Sequence, residues 1–318
     1  MSDEVVELVD AAAGSRAVVF PARGFNCASF QVLDGDEQVE LLWKAEGFET
    51  GAARPTSSGI PLLFPFAGRL AGTSFEFEGR RYDLNPGDPL GNAIHGFTCF
   101  RPWKVSERSA NRVVGTFRAA DFGAEILDHW PSDFLLTAEY RLQGSALQLE
   151  LTVENTGDRR LPFGLGTHPY FRLPLGSGGT ADACVVSVPA TAYWELEGML
   201  PTGRKLPLPE ERELVEGRLF SEMKFDDVLS DLEPTSGCHT ATIADPEAER
   251  RLVLEFDQAF PECVVYTPPH RQAVCIEPYT TVPDAFSLAA RGIPAGLLTL
   301  EPGKVFRAGM EIRCEAHR

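Results

Sequence analysis

Apolar and polar residues alternate with period two over much of this chain, most clearly in "FLLTAEYRLQGSALQLELTVENTG". Leu136, Ala138, Tyr140 and Leu142 fall on one face, Gln143-Gly144-Ser145 turns, and Leu147, Leu149, Leu151 and Val153 share a face on the return. The opposite faces carry Thr137, Glu139 and Arg141, then Gln148, Glu150, Thr152 and Glu154. This is the pattern of an antiparallel hairpin with one face on a core and the other in water. Short strands are also expected in "RAVVF", "SFQVL", "VELLW", "SFEFEGRRYDL", "NRVVGTFRA", "CVVSVPA", "RLVLEFD", "ECVVYTP", "AVCIEP" and "GLLTLEPGKVFRAGMEIRCE", punctuated by Gly, Pro, Asn and Asp. The helices expected are short, in "DFGAEILDHW" and "DAFSLAARG", with Asp284 capping the second. So many strands without a linker-like change of composition predict an all-β chain, a large antiparallel β-sandwich forming a single domain over 1–318.

Composition narrows the classes of function. With 318 residues, 43% of them hydrophobic, the chain can bury a substantial core. The N-terminal "MSDEVVELVDAAAG" is acidic, and no run of roughly 18 apolar residues occurs, so neither a signal peptide nor a spanning helix is expected. A cytoplasmic location and no membrane partner follow as expectations, with a monomer or homodimer as the assembly. Seven scattered cysteines without a CxxC argue against a disulfide framework or a zinc site and are expected to be reduced core residues. The formal charge of −17 repels nucleic acid and anionic membranes, which favours a neutral small-molecule partner over a phosphorylated one.

Four places set a single polar group in an apolar context. "GIPLLFPFAGRL" carries Arg69, "GNAIHGFTCFRPW" carries His95, "LPFGLGTHPYFRLP" carries His168, and "CIEPYTTVPDAF" carries Glu277 at the end of the apolar run Ala273 to Ile276. Any one of them alone reads as a core hydrogen bond or an ion pair. Together, a cation, two imidazoles and a carboxylate, with Trp103, Phe97, Tyr170 and Phe171 nearby in sequence, suggest a pocket.

One carboxylate and two histidines suit general acid–base chemistry. There is no G-x-S-x-G elbow for acyl transfer, no phosphate-cradling GxxxxGK[ST], and no G-x-G-x-x-G after a strand. A glycosidase needs two carboxylates, and the candidates for a second, Asp226 and Asp227, are not obviously poised by sequence.

Four segments in order, "P-F-x-x-R" at Pro65 to Arg69, "N-x-x-H-G" at Asn92 to Gly96, "G-x-H-P-Y-F" at Gly166 to Phe171, and "E-P" at Glu277-Pro278, resemble those of the aldose 1-epimerases, or galactose mutarotases. The resemblance runs from about Gly59 to "LEPGKVFRAGMEI" and implies a galactose mutarotase-like sandwich with a sugar cleft and no cofactor or metal. It implies that Glu277 is the base for the anomeric hydroxyl and His168 the acid for the ring oxygen. His95 would bond the sugar near that oxygen, and Arg69 would bind its hydroxyls. A binding aspartate falls on Asp226 in "KFDDVL", with Asp227 as the neighbouring alternative. Many family members have an asparagine directly before the arginine, where this chain has Gly68, which bears on sugar preference.

On this view, His168 should be protonated and Glu277 ionised when the sugar arrives. Pro278 should turn the chain after Glu277, so that "TTVPDAF" lies along the cleft rim. Three other readings remain: a silent carbohydrate-binding sandwich, an Fe(II) site of two histidines and a carboxylate, and a hexose-6-phosphate epimerase with added arginines, for which Arg54, Arg101 and Arg172 are candidates.

Overall fold

A computed structural model of the chain describes residues 5–317. The alternating hairpin forms as Phe134–Gln143 and Ala146–Asn155, with Leu136 opposite Val153, Ala138 opposite Leu151 and Tyr140 opposite Leu149. Its turn is tighter than the expected three residues. Gln143 pairs with Ala146, and only Gly144-Ser145 stays outside the ladder, with Gly144 in the left-handed conformation that such a turn requires.

This hairpin sits inside a nine-stranded antiparallel sheet that also contains Val305–Ala316, Arg250–Asp257 and Cys238–Asp245. A second, eight-stranded sheet runs in the order Leu200–Pro207, Ala190–Glu197, Asp226–Leu232, Glu262–Tyr266, Ala273–Tyr279, Gly166–Thr167, Leu62–Leu63, and Tyr170–Arg172 adds on beside Ala273–Tyr279. The inner faces meet in one apolar cluster: Leu136, Tyr140, Leu149 and Ile312 from the first sheet pack in the same core as Leu229, Val265, Val274 and Ile276 from the second. The chain is therefore an all-β antiparallel sandwich, as the period-two pattern predicts.

Helix is sparse and falls where expected, at Ala124–Leu127 and Ala285–Ala290. Asp284 occupies the N-cap position of the second helix, but its carboxylate does not cap the helix backbone. It accepts hydrogen bonds from Ser287 Oγ (2.8 Å) and Ala71 N (3.0 Å), tying the helix to the strand Arg69–Leu70. No helix among the described residues is long and apolar enough to cross a membrane.

The eight-stranded sheet positions the polar residues. In Ala273–Tyr279, Val274 and Ile276 point into the core, so Cys275, Glu277 and Tyr279 project from the other face. Glu277 is thus in mid-strand rather than at a strand end. Pro278 does not turn the chain: the ladder continues, with Pro278 opposite Cys263 and Tyr279 opposite Glu262 and Gly166. The same alternation separates the two aspartates. Asp226 shares a face with Val228, and Asp227 shares the opposite one with Leu229.

Candidate active site

On the outer face of that sheet lies a cavity of about 230 Å³ whose lining includes Arg69, His95, His168, Asp226 and Glu277. Residues separated by up to 208 positions in sequence (69 to 277) are brought to one cleft. At its floor, Glu277 is only 2% exposed. Its Oε2 accepts a hydrogen bond from Tyr279 Oη at 2.7 Å, two residues along the same strand face. Its Oε1 lies 3.3 Å from His168 Nδ1. That approach is too loose to count as a formed hydrogen bond, so Nδ1 has a carboxylate beside it and no completed partner.

His168 is held from two sides. Its backbone N–H donates to Pro61 O (3.0 Å), and its ring stacks on Tyr170 with centroids 4.8 Å apart and planes 13° apart. Tyr170 is in turn anchored through Oη to Thr56 O at 3.0 Å. His95 also lines the cavity, its ring centroid 5.5 Å from that of His168. It immediately precedes Gly96, which forms a parallel bridge with Phe64, and both His95 and Gly96 adopt left-handed φ, 64° and 68°. A Cβ on Gly96 would come within 2.1 Å of Phe64 O, which accounts for the glycine of "N-x-x-H-G".

Arg69 is aimed rather than free. Its Nε donates to Asp88 Oδ2 at 2.9 Å. Asp88 also accepts from the backbone N–H groups of Leu90 (2.9 Å) and Asn92 (2.8 Å) and from Asn92 Nδ2 (3.2 Å). Burial pushes Asp88 up, but the Asn92, Arg69 and Leu90 donors outweigh it and hold the carboxyl below its usual range. Asn92, the first residue of its motif, therefore acts through Asp88, by fixing the anion that fixes Arg69. Gly68, at the place of the family's asparagine, lines the cavity with φ 68°, and a Cβ there would meet Pro283 Cγ at 2.8 Å.

The electrostatics bear on the expected charge state of the pair. Desolvation raises Glu277 well above the ordinary carboxylate range; Tyr279 and Arg69 oppose this and Asp226 adds to it. Desolvation likewise lowers His168, and it lowers His95 together with the charges of His168, Arg69 and Arg54. Both shifts run toward neutral imidazole and protonated carboxyl, against the imidazolium and carboxylate expected from sequence. Burial outweighs the attraction that one charged partner would have offered the other.

Of the two aspartates, Asp226 lines the cavity, and burial raises its carboxyl while the charge of Arg69 opposes that. Asp227 is ion-paired with Arg212. The aromatic expectations divide. Tyr170 lines the cleft, but Phe171 is in the core and Trp103 is stacked on Phe25 (centroids 5.3 Å apart). Phe97 lines an adjoining recess. Tyr279, Tyr266 and Asp88 also line the cavity without having been singled out by sequence.

As for metals, the donor atoms of His168, Cys275 and Glu277 lie within 4.8 Å of one another. This set contains one histidine and a thiol, and His95 is outside it, so it is not the two-histidine, one-carboxylate arrangement considered from sequence.

The sequence model of a family described as aldose 1-epimerase matches residues 7–313. The chain is similar to YihR of Escherichia coli K12, 27% identical over 252 residues, covering 77% of this chain and 76% of that one. It is also similar to YphB of the same organism, 23% identical over 315 residues, covering 89% and 94%. Its fold matches that of a galactose mutarotase-like protein from Clostridium acetobutylicum with a TM-score of 0.86 at 22% identity, covering 98% of each chain. A galactose 1-epimerase from Lactobacillus acidophilus NCFM matches with a TM-score of 0.77 at 17% identity, covering 100% of each.

Proposed function

Because the chain belongs to the aldose 1-epimerase family, we propose that it interconverts the α and β anomers of an aldose by acid–base opening and closing of the sugar ring. The observation that carries this reading is the contact between His168 Nδ1 and Glu277 Oε1, 3.3 Å apart at the floor of a sugar-sized cavity.

A cyclic hemiacetal opens when the anomeric hydroxyl loses a proton and the ring oxygen gains one. Either half alone leaves an unstable charge, and a positioned base or acid contributes roughly 10²–10⁴-fold. A neutral pair, the direction in which burial moves both groups, accomplishes both without building charge. With Glu277 protonated toward Nδ1, the His168 proton sits on Nε2, the nitrogen left to face the ring oxygen. As Nε2–H passes to the ring oxygen, Nδ1 takes up the Glu277 proton, and Glu277 takes the anomeric proton. The C1–O5 bond breaks, the aldehyde forms, and the protein again holds one proton on each of the two groups. Rotation about C1–C2 presents the other face of the aldehyde, and closure runs the transfers in reverse.

His95, Arg69 and Asp226 hold the sugar around this pair. Pocket-wall hydrogen bonding to hydroxyl groups needs both donors and acceptors, which these residues provide. The reading is tested by polarimetry of freshly dissolved α-D-glucose and α-D-galactose after dialysis against a chelator. Wild type should speed the approach to anomeric equilibrium, and Glu277→Gln should lose at least about a hundredfold in rate. Equal acceleration by both proteins would refute the assignment. A catalytically silent sugar-binding sandwich predicts no acceleration by either.

A further inference from the structure

We propose that the substrate carries a negatively charged group on its exocyclic carbon, the one attached to C5, and that Arg54 binds it. The proposal rests on the epimerase reading only for the orientation of the sugar. If C1 faces Glu277 and the ring oxygen faces His168, then C5, the other neighbour of that oxygen, lies away from Glu277. In this orientation its substituent is assigned to the side of His95, whose ring centroid lies 5.5 Å from that of His168.

The cavity has a different electrical character at that end. The charges acting on Glu277 are those of Asp226 and Arg69, whereas His95 also feels Arg54. Arg54 lines the cavity and is tethered by one bond, from Nη2 to Gly87 O at 3.0 Å. Among the described residues, no carboxylate lies within ion-pairing distance of Arg54, while the other arginine of the cavity, Arg69, is engaged with Asp88.

Past the shared wall of Arg54, Gly87 and Ile94, the cavity continues into a recess of about 250 Å³ that carries a second guanidinium, Arg101. Arg101 lies over the rings of Phe97 and Phe122, 5.7 Å from each centroid. Its carboxylate neighbour, Glu125, is 3.9 Å away with a side chain 74% exposed, which makes that pair weak. The third arginine considered from sequence, Arg172, is exposed and does not line the cavity.

A chain with a formal charge of −17 repels anions at long range, so binding one requires a local cation whose charge is not already matched. Arg54 meets that requirement. Planar guanidinium donors suit carboxylate, phosphate or sulfonate oxygens, whereas a neutral hydroxymethyl group would leave the charge unused.

The test compares D-glucose, D-glucuronate and D-glucose 6-phosphate by the rate at which each reaches anomeric equilibrium. Wild type should show a kcat/KM at least about tenfold higher for one of the two anionic sugars than for glucose, and the preferred one distinguishes a carboxylate from a phosphate. Arg54→Gln should lower that ratio by roughly ten- to a hundredfold, mainly through KM. A preference for glucose, or a ratio unchanged in Arg54→Gln, overturns the proposal and leaves the epimerase reading intact. If wild type accelerates none of the three, the epimerase reading fails. Equilibrium binding then decides the anion site, and glucuronate and glucose 6-phosphate binding no tighter than glucose overturns it.

Discussion

Removing the phenol of Tyr279 tests where the proton rests in the His168–Glu277 pair. Tyr279 Oη donates to Glu277 Oε2 at 2.7 Å, and both groups are buried. A hydrogen bond to a charged group contributes roughly 1.5–3 kcal/mol, and one to a neutral group roughly 0.5–1.5 kcal/mol. Tyr279→Phe therefore costs the carboxylate about 1–1.5 kcal/mol more than the carboxylic acid, which moves the Glu277 pKa further upward by about one unit. The limb of the pH profile that moves depends on the resting state. If the active pair is neutral, the carboxylate appears only when the pair loses its last proton, so the alkaline limb should shift upward by about one unit and the acid limb should stay. If the active pair is imidazolium and carboxylate, the carboxylate is already present, and the acid limb should move instead. The assay is kcat/KM against pH by polarimetry, with the uncatalysed rate subtracted at each pH. A shift of the acid limb with a fixed alkaline limb would refute the neutral pair.

Three further substitutions probe the surroundings. Asp226→Asn should lower kcat/KM by roughly tenfold or more, whereas Asp227→Asn, which touches Arg212 outside the cleft, should leave it within about twofold; steady-state kinetics on the two variants checks this. Asp88→Ala releases Arg69 and should raise KM by roughly tenfold with a smaller change in kcat, measured with the same substrates. Glu262 is buried away from the cleft, accepts a hydrogen bond from Trp194 Nε1 at 3.1 Å, and is pushed by desolvation up to about 7. A carboxyl raised above its unfolded value stabilises the fold below that value, near 4.5, and loses the contribution as pH rises through about 7. Thermal melts of Glu262→Gln should accordingly lose fewer degrees between pH 5 and pH 8 than wild type.

The fold could be read wherever alternation was strict. Tyr140 and Leu149 pair as their pattern requires, because that face has only the core to meet. Strands of the second sheet were harder to see. Ala190–Glu197, Leu200–Pro207 and Asp226–Leu232 were not anticipated, since "ATAYWELE", "LPTGRKLP" and "DDVLSDL" break strict alternation, with charges at adjacent positions such as Arg204-Lys205 and Asp226-Asp227 that fall on both faces. Glu277, His168, His95, Arg69 and Asp226 stood out as singular polar groups or motif members, and they do gather at one cleft. Asp88 sits in a loop rich in Gly and Pro, where an aspartate looks like ordinary turn chemistry until its partners are known. The direction of the pKa shifts in the pair was also hidden, because it depends on how deeply both groups are desolvated. Sequence order says nothing about depth.

The placement of Glu277 in the middle of a central strand also bears on when in folding the proposed site is completed. Its flanking strands are Glu262–Tyr266 on one side and the segments Gly166–Thr167 and Tyr170–Arg172 on the other, and the latter lie about a hundred residues earlier in the chain. His95 and Arg69 come from earlier still. No local hairpin brings these side chains together, so a chain that has formed only its near-neighbour pairings lacks the proposed site. If the proposed chemistry holds, turnover should return on refolding only once these long loops have closed.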